Sequence, residues 1–209
     1  MMATPSTAST TTPSSAPRRS SSPLTRYYLA AYNAISFTLW AICTLRGAAL
    51  LALPILTNSK NVNRNILLST IFNDIYSPLL LTTQTIALLE IVHSLVGIVR
   101  APITTTAMQV SSRLFLVWGV MYPFRDVGDG FGGIVGGVGK GGNADGVVVG
   151  NMAFLGCLAA WGVTECIRYG FFALTLSGFK VPSWWMWLRF VIIYVFLFIC
   201  LAGIVLFAN

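Results

Sequence analysis

The order of apolar and polar positions divides the chain into five long apolar runs, near 29–56, 75–99, 103–124, 147–177 and 184–208. The hydrocarbon core of a bilayer asks for about twenty mainly apolar residues per helix, and each run is long enough to supply them. The pattern therefore predicts an all-α, polytopic membrane helix bundle of five spans. Trp and Tyr near the proposed ends (Tyr27, Tyr28, Tyr122, Trp184, Trp185) suit interfacial belts. Only Arg100-Ala101-Pro102 separates the second run from the third, which predicts a tight helical hairpin with Pro102 opening the third helix.

Two segments fall outside this pattern. Residues 1–23 are Ser, Thr, Pro and Ala with Arg18 and Arg19 and no acid, too little apolar surface to fold, so they read as a disordered tail. The acid-free composition also fits a transit peptide, but the prolines spoil an amphipathic helix, and no signal-peptide pattern is present. The remainder, 24–209, reads as one membrane domain carrying a Gly-rich insert at 127–150. Within the insert, Gly128-x-Gly130-x-x-Gly133 and Gly137-x-Gly139-x-x-Gly142 match the dinucleotide fingerprint. That fingerprint has meaning only between a strand and a helix; among so many glycines it reads as a flexible connecting loop.

Polar residues inside the runs carry the candidate chemistry. In the second run Glu90, His93, Gly97 and Arg100 fall in one narrow stripe at 100° per residue, with Gly97 placed where a neighbouring helix can come close. The third run repeats the arrangement with Gln109, Ser112 and Arg113. The fourth offers Trp161, Glu165, Arg168 and Tyr169. A charged side chain at mid-membrane costs at least about 2.5–3.5 kcal/mol, so three such stripes are expected to face one another. Glu90 and Glu165 would then be neutralised by Arg113 and Arg168. Taken singly, each residue can be read as glue between helices. Two Glu, two Arg, a Gln, a Tyr and a His together exceed what glue needs and point to a polar substrate cavity. His93 alone reads as a satisfied core histidine, and no second His exists to build a metal site with it.

Composition narrows the picture further. The 209 residues are 56% hydrophobic and 9% charged, with a mean hydropathy of +0.76, far from the quarter or so of charged residues in soluble domains. The net charge of +7 is spread singly along the chain, which excludes a nucleic-acid groove and fits charges flanking spans beside anionic lipid heads. Arg18, Arg19, Arg26, Arg100 and Lys180 fall on the N-terminal side, against Lys60, Arg64, Arg125 and Lys140 on the other, which leans to a cytosolic N-terminus. Cys43, Cys157, Cys166 and Cys200 lie in apolar runs without CxxC spacing and read as small hydrophobes, so no metal or other cofactor is implied. No GxSxG elbow and no HCxxxxxR loop occurs.

Three stretches then resemble a known family. They are Leu89-Glu90-Ile91-x-His93-Ser94-x-x-Gly97-x-Val99-Arg100-x-Pro102, Thr105-Thr106-x-x-Gln109-Val110-Ser111-Ser112-Arg113, and Trp161-x-x-Thr164-Glu165-x-Ile167-Arg168-Tyr169-x-Phe171. All three resemble the very-long-chain (3R)-3-hydroxyacyl-CoA dehydratases, also called protein tyrosine phosphatase-like. Tyr28-Leu29-x-x-Tyr32-Asn33, with Trp40, is similar to that family's first helix, and the likeness covers about 27–190 apart from the insert. The resemblance implies a six-helix enzyme of the endoplasmic reticulum membrane, working beside other fatty-acid elongation enzymes. Its reaction removes water from a (3R)-3-hydroxyacyl-CoA to give the trans-2-enoyl-CoA. It also implies a catalytic Tyr and Glu in a motif like Leu-Tyr-Pro-x-Gly-x-x-x-Glu on the fifth helix, seven residues apart and so on one helical face.

That motif is not found after Phe190. Counting on from Arg189, which belongs to the likeness, the Tyr would fall near Leu197; Tyr194 has Leu201 seven residues on, and no carboxylate follows Glu165. Tyr122-Pro123 has Asp129 seven residues later, but Gly128 and Gly130 interrupt any helix between them. Two explanations compete, a retained intron or shifted frame and a real truncated, inactive member; so abrupt a departure leans to the first, and either way the 209-residue chain as it stands is expected to be inactive. The reading is thus a dehydratase by descent, its catalytic residues unassigned, with Glu90, His93, Arg100, Gln109, Ser112, Arg113, Glu165, Arg168, Tyr169 and Arg189 lining the cavity. The alternative is a non-catalytic membrane protein that binds acyl-CoA or elongation components. A channel or transporter would show an inverted repeat, and none is seen.

Overall fold

The computed structural model describes residues 22–57, 63–99, 102–125, 135–136, 144–188 and 191. Among them the chain is helical, the one β-type pairing being an isolated bridge between Arg125 and Val135. Helix α1 is Pro23–Leu56. Helix α2 runs over Arg64–Leu95, α3 is Ile103–Leu114 continued in wide turns through Phe115–Met121, and α4 is Ala144–Ser177. The helices α1, α2 and α4 are each long and apolar enough to cross a membrane. The third segment, laden with Thr104, Thr105, Thr106, Gln109, Ser111, Ser112 and Arg113, is not among them. The fifth run is helical over 183–188; nearly all of the rest lies outside the described residues.

Two boundaries differ from the sequence reading. The second run was expected to begin near 75, yet α2 starts at Arg64. Asn63 caps it, its Oδ1 accepting the Asn65 N–H at 3.0 Å, and the added turns bury Leu68, Ile71, Phe72 and Ile75. Polar Asn65, Ser69, Asn73 and Asp74 had masked that face. Helix α4 begins at Ala144, inside the stretch 127–150 read as a connecting insert. Residues 1–21 of the expected tail and both glycine fingerprints, 128–133 and 137–142, lie outside the described residues.

Pro78 accounts for the one irregularity of α2. Lacking an N–H, it cannot bond the carbonyl one turn back. The helix widens over Tyr76–Leu80, where the Leu81 N–H reaches the Tyr76 carbonyl five residues away. Helix α3 widens likewise ahead of Pro123, the Tyr122 N–H bonding the Val117 carbonyl at 3.0 Å. The two wide turns meet, because the Tyr76 hydroxyl donates to that same Val117 carbonyl at 2.7 Å.

The four helices run up and down. Arg26 Nε donates to the Leu176 carbonyl, Cys43 lies against Thr83, and Arg46 forks onto Asp74, so α2 and α4 are both antiparallel to α1. The α1–α4 face is the most extensive in the bundle. A Cβ on Gly162 would lie 2.0 Å from Thr44 Oγ1, so this glycine lets the two backbones approach. The half of the bundle away from the α1 N-terminus is apolar: Phe72 stacks on Tyr76 with centroids 4.7 Å apart and meets Phe154 edge-on at 4.7 Å, with Trp40, Ile75 and Leu158 buried around them.

Beyond α3 the chain folds back on this aromatic half. The Gly136 carbonyl accepts the Ser69 hydroxyl and, at 3.2 Å, Asn73 Nδ2; its N–H donates to Asn151 Oδ1 at 2.8 Å. Gly136 has φ +87°, and a Cβ there would lie 2.9 Å from the Phe72 ring, so only glycine fits. Gly162→Val is expected to force α1 from α4 and cost about 1–3 kcal/mol, read as a lower thermal midpoint in detergent, whereas Gly156→Ala, which meets nothing within 4 Å, is expected to be near neutral.

Candidate functional site

Where α2, α3 and α4 meet near the α1 N-terminus, the sequence supplies two acids and two bases, and the fold brings all four together. Arg168 stands at the centre. Its Nη1 and Nη2 fork onto Glu90 Oε2 and Oε1 at 2.9 and 2.6 Å. Its Nε and Nη2 also donate to Glu165 Oε2 at 2.8 and 2.6 Å. Arg113 Nη1 pairs with the other oxygen of Glu165, and the Tyr169 hydroxyl donates to Glu90 Oε1. The Arg168 guanidinium lies 4.2 Å from the centroid of the Tyr169 ring.

Local structure explains each placement. Glu165, Arg168 and Tyr169 follow one another at i, i+3 and i+4 on α4, so one face presents an acid, a base and a phenol. Arg113 Nε bonds the Gln109 carbonyl of its own helix at 3.3 Å, which aims the guanidinium across to α4. Glu90 sits five residues before the end of α2, which closes in a Schellman turn. Gly97 takes φ +73°, its N–H bonding the Ser94 carbonyl and the Ile98 N–H bonding that of His93. Gly97 thus serves the turn; a Cβ there would meet nothing within 4 Å, so the close helix approach expected of it belongs to Gly162 instead.

His93 takes part in a separate contact with α1. The Tyr28 hydroxyl and His93 Nε2 lie 2.8 Å apart in a hydrogen bond. The Tyr28 and Tyr32 rings meet the imidazole edge-on at 5.4 and 4.9 Å, and Tyr32 also reaches Tyr169 at 6.3 Å. One aromatic wall therefore joins α1 to the ionic cluster, and His93 is buried within it.

The remaining expected residues fall elsewhere. Gln109 and Ser112 are exposed, the Ser112 hydroxyl donating to the Gln109 carbonyl at 3.0 Å. Arg100 and Arg189 lie outside the described residues. The sequence reading passed over one ion pair: Arg46 on α1 holds Asp74 on α2 through Nε–Oδ2 at 2.5 Å and Nη2–Oδ1 at 2.9 Å, with 56% of the Arg46 side chain exposed. Its signal was available, since Arg46 and Asp74 are a base and an acid within or beside apolar runs with no other assigned partner. It also missed Asn151, a buried amide in α4 whose partner, Gly136, is local to no motif.

The cluster holds two carboxylates against two guanidiniums and carries no net charge when all are ionised. Every oxygen of Glu90 and Glu165 accepts at least one bond from an arginine or from Tyr169. The arrangement offers a neutral, hydrogen-bonded polar wall inside an apolar bundle. Among the described residues no three His, Cys, Asp or Glu converge as a metal site.

Residues 84–207 match the family described as protein tyrosine phosphatase-like protein, PTPLA. The chain belongs to this family. It is 35% identical over 165 residues to the very-long-chain (3R)-3-hydroxyacyl-CoA dehydratase PASTICCINO 2 of Arabidopsis thaliana, covering 79% of this chain and 59% of the relative. It is 34% identical over 163 residues to the "probable very-long-chain (3R)-3-hydroxyacyl-CoA dehydratase" of Schizosaccharomyces pombe, 78% of this chain and 62% of that one. The dehydratase hpo-8 of Caenorhabditis elegans is 37% identical over 112 residues, 54% of this chain and 42% of its own length. The chain thus spans about three fifths of the first two relatives. No solved structure matches. The family match contains the α2 acid, the α3 base and the α4 triplet, and it runs past Phe190, where the sequence reading had ended the likeness.

Arg168→Met would leave two carboxylates facing each other, and the expected cost is roughly 3 kcal/mol, at the low end for a broken buried pair because 29% of the Arg168 side chain is exposed. Thermal unfolding in detergent checks this, with Ser112→Ala expected to stay within about 0.5 kcal/mol.

Proposed function

We propose that this chain serves the dehydration of very-long-chain (3R)-3-hydroxyacyl-CoA to trans-2-enoyl-CoA, in the endoplasmic reticulum membrane with its N-terminus on the cytosolic side, alongside other fatty-acid elongation enzymes. The observation that carries the reading is the convergence of Glu90, Arg113, Glu165, Arg168 and Tyr169 from three helices, all within the family match. Family membership and the names of the relatives support the substrate class.

In this reading the cluster binds and orients. A neutral wall of fixed donors and acceptors lies beside the polar pantetheine arm of the substrate without repelling it, and the surrounding apolar helices accept the acyl chain. Dehydration also needs one group to take the C2 proton and another to protonate the departing C3 hydroxyl. Glu90 and Glu165 are committed to the arginines and are not assigned those tasks. The resemblance places them on a Tyr and a Glu of the fifth helix, and residues 191–209 carry Tyr194 and no carboxylate. The alternative reading is a non-catalytic membrane protein that binds acyl-CoA or elongation components.

The test is to purify the 209-residue protein in detergent and measure binding and turnover of 3-hydroxystearoyl-CoA. Saturable binding is expected. Glu90→Ala should abolish binding while the protein remains folded by size-exclusion chromatography. Loss of the folded protein in that variant would make the cluster glue alone, absence of binding by the unchanged protein would remove the proposed substrate, and binding with turnover at background would favour the non-catalytic alternative.

A further inference from the structure

Among the described residues, Ser36 and Gln84 are the buried side chains with polar atoms that lack a hydrogen-bond partner, and Gln84 is the larger, an amide unpaired at both ends. It is fully buried in α2, and neither its Nε2 nor its Oε1 has a hydrogen-bond partner. Its neighbours are all satisfied: the Thr83 hydroxyl donates to the Leu79 carbonyl at 2.7 Å and lies 3.9 Å from Cys43 Sγ, while the Thr85 hydroxyl donates to the Leu81 carbonyl at 2.7 Å and accepts Trp118 Nε1 at 3.3 Å.

Those neighbours fix its direction. Thr83 looks towards α1 and Thr85 towards α3; with successive residues about 100° apart, Gln84 lies on the arc between them. Leu80 and Ala87, on the same arc, are both buried, so the amide is aimed into the bundle and not at lipid. Its depth follows from the sequence: Gln84 precedes Glu90 by six residues, about 9 Å along the helix, on the side away from the α1 N-terminus. A residue serving as glue would be bonded to a second helix, and burying an amide with no partner is unfavourable. The amide therefore stands ready for a polar group that the protein does not itself supply.

A primary amide presents two donors and an acceptor, which fits a ligand offering a hydroxyl and a carbonyl close together. A 3-hydroxyacyl thioester carries that pair on C3 and C1 of its reacting end, with only the C2 methylene between them. We propose that Gln84 is a substrate-binding residue that hydrogen-bonds the 3-hydroxyl and the thioester carbonyl of a bound 3-hydroxyacyl-CoA. The pantetheine arm then runs along the Glu90–Arg168 wall, the reacting carbons lie about 9 Å deeper, and the acyl chain continues towards the aromatic half. This assignment rests on the function proposed above and adds to it the site at which the hydroxyl is recognised.

The experiment compares binding of 3-hydroxystearoyl-CoA and stearoyl-CoA to the detergent-purified 209-residue protein and to its Gln84→Leu and Gln84→Met variants. The unchanged protein is expected to favour the hydroxylated probe about tenfold, the worth of one or two such bonds. Both variants should lose that preference, bind stearoyl-CoA only a few-fold more weakly because one bond to its carbonyl is lost, and unfold at the same or a higher temperature, since an unpaired buried amide has been removed. Retained preference in the variants overturns the assignment. So does loss of folded protein in both, which would mean the amide is bonded within the protein. Equal binding of the two probes by the unchanged protein overturns the Gln84 assignment alone, whereas failure to bind either overturns the proposed function and this assignment together.

Discussion

A guanidinium half-buried where three helices of a membrane bundle meet is tolerable only if its charge is met on more than one side, and Arg168 meets that condition with two carboxylates from different helices. Its fork onto Glu90 fixes α2 against α4, and its second contact holds Glu165 in place for Arg113 of α3. Moving any of these helices by one residue, about 1.5 Å, would take a donor out of bonding range and leave a charge in low dielectric. Hydrophobic burial cannot set this register, because apolar side chains slide past lipid and past each other at similar cost. The ion pairs set it, and α1 then docks through glycine and aromatic contacts: Gly162 against Thr44, and Tyr28 and Tyr32 against His93.

The bundle consequently has two unlike halves. Near the α1 N-terminus lie the ionic cluster and the tyrosine–histidine wall. The other half holds stacked Phe72, Tyr76 and Phe154, covered by Gly136 through Ser69, Asn73 and Asn151. Between them, the widened turns at Pro78 and ahead of Pro123 share the Val117 carbonyl region. A polar wall leading to an apolar, aromatic interior suits a ligand with a polar head and a long hydrocarbon chain.

Much of this was legible in the sequence because charges in apolar runs have few ways to be satisfied. Glu90, Arg113, Glu165 and Arg168 are spaced to present stripes, and with two of each sign the pairing scheme is nearly forced; the structure realises it. The start of α2 was not legible, because Asn65, Ser69, Asn73 and Asp74 lower the hydropathy of a stretch whose polar groups find partners only after folding. Gly97 and Gly162 show the same limit. Both are glycines in helical runs, and spacing alone does not reveal that one ends a helix in a left-handed turn while the other admits a neighbouring backbone. The exposure of Gln109 and Ser112 could not be read either. They share a stripe with Arg113, but its long side chain reaches the cluster from a face that leaves its short neighbours outside. Gln84 carried no pattern signal, since its distinction is the absence of a partner.

The central claim is that the Glu90–Arg168 contact couples α2 to α4. A double-mutant cycle of Glu90→Gln and Arg168→Gln, followed by thermal or denaturant unfolding in detergent, measures that coupling directly. The bidentate geometry predicts an interaction of more than about 1 kcal/mol between the two sites; additive effects, with a coupling indistinguishable from zero, would contradict it.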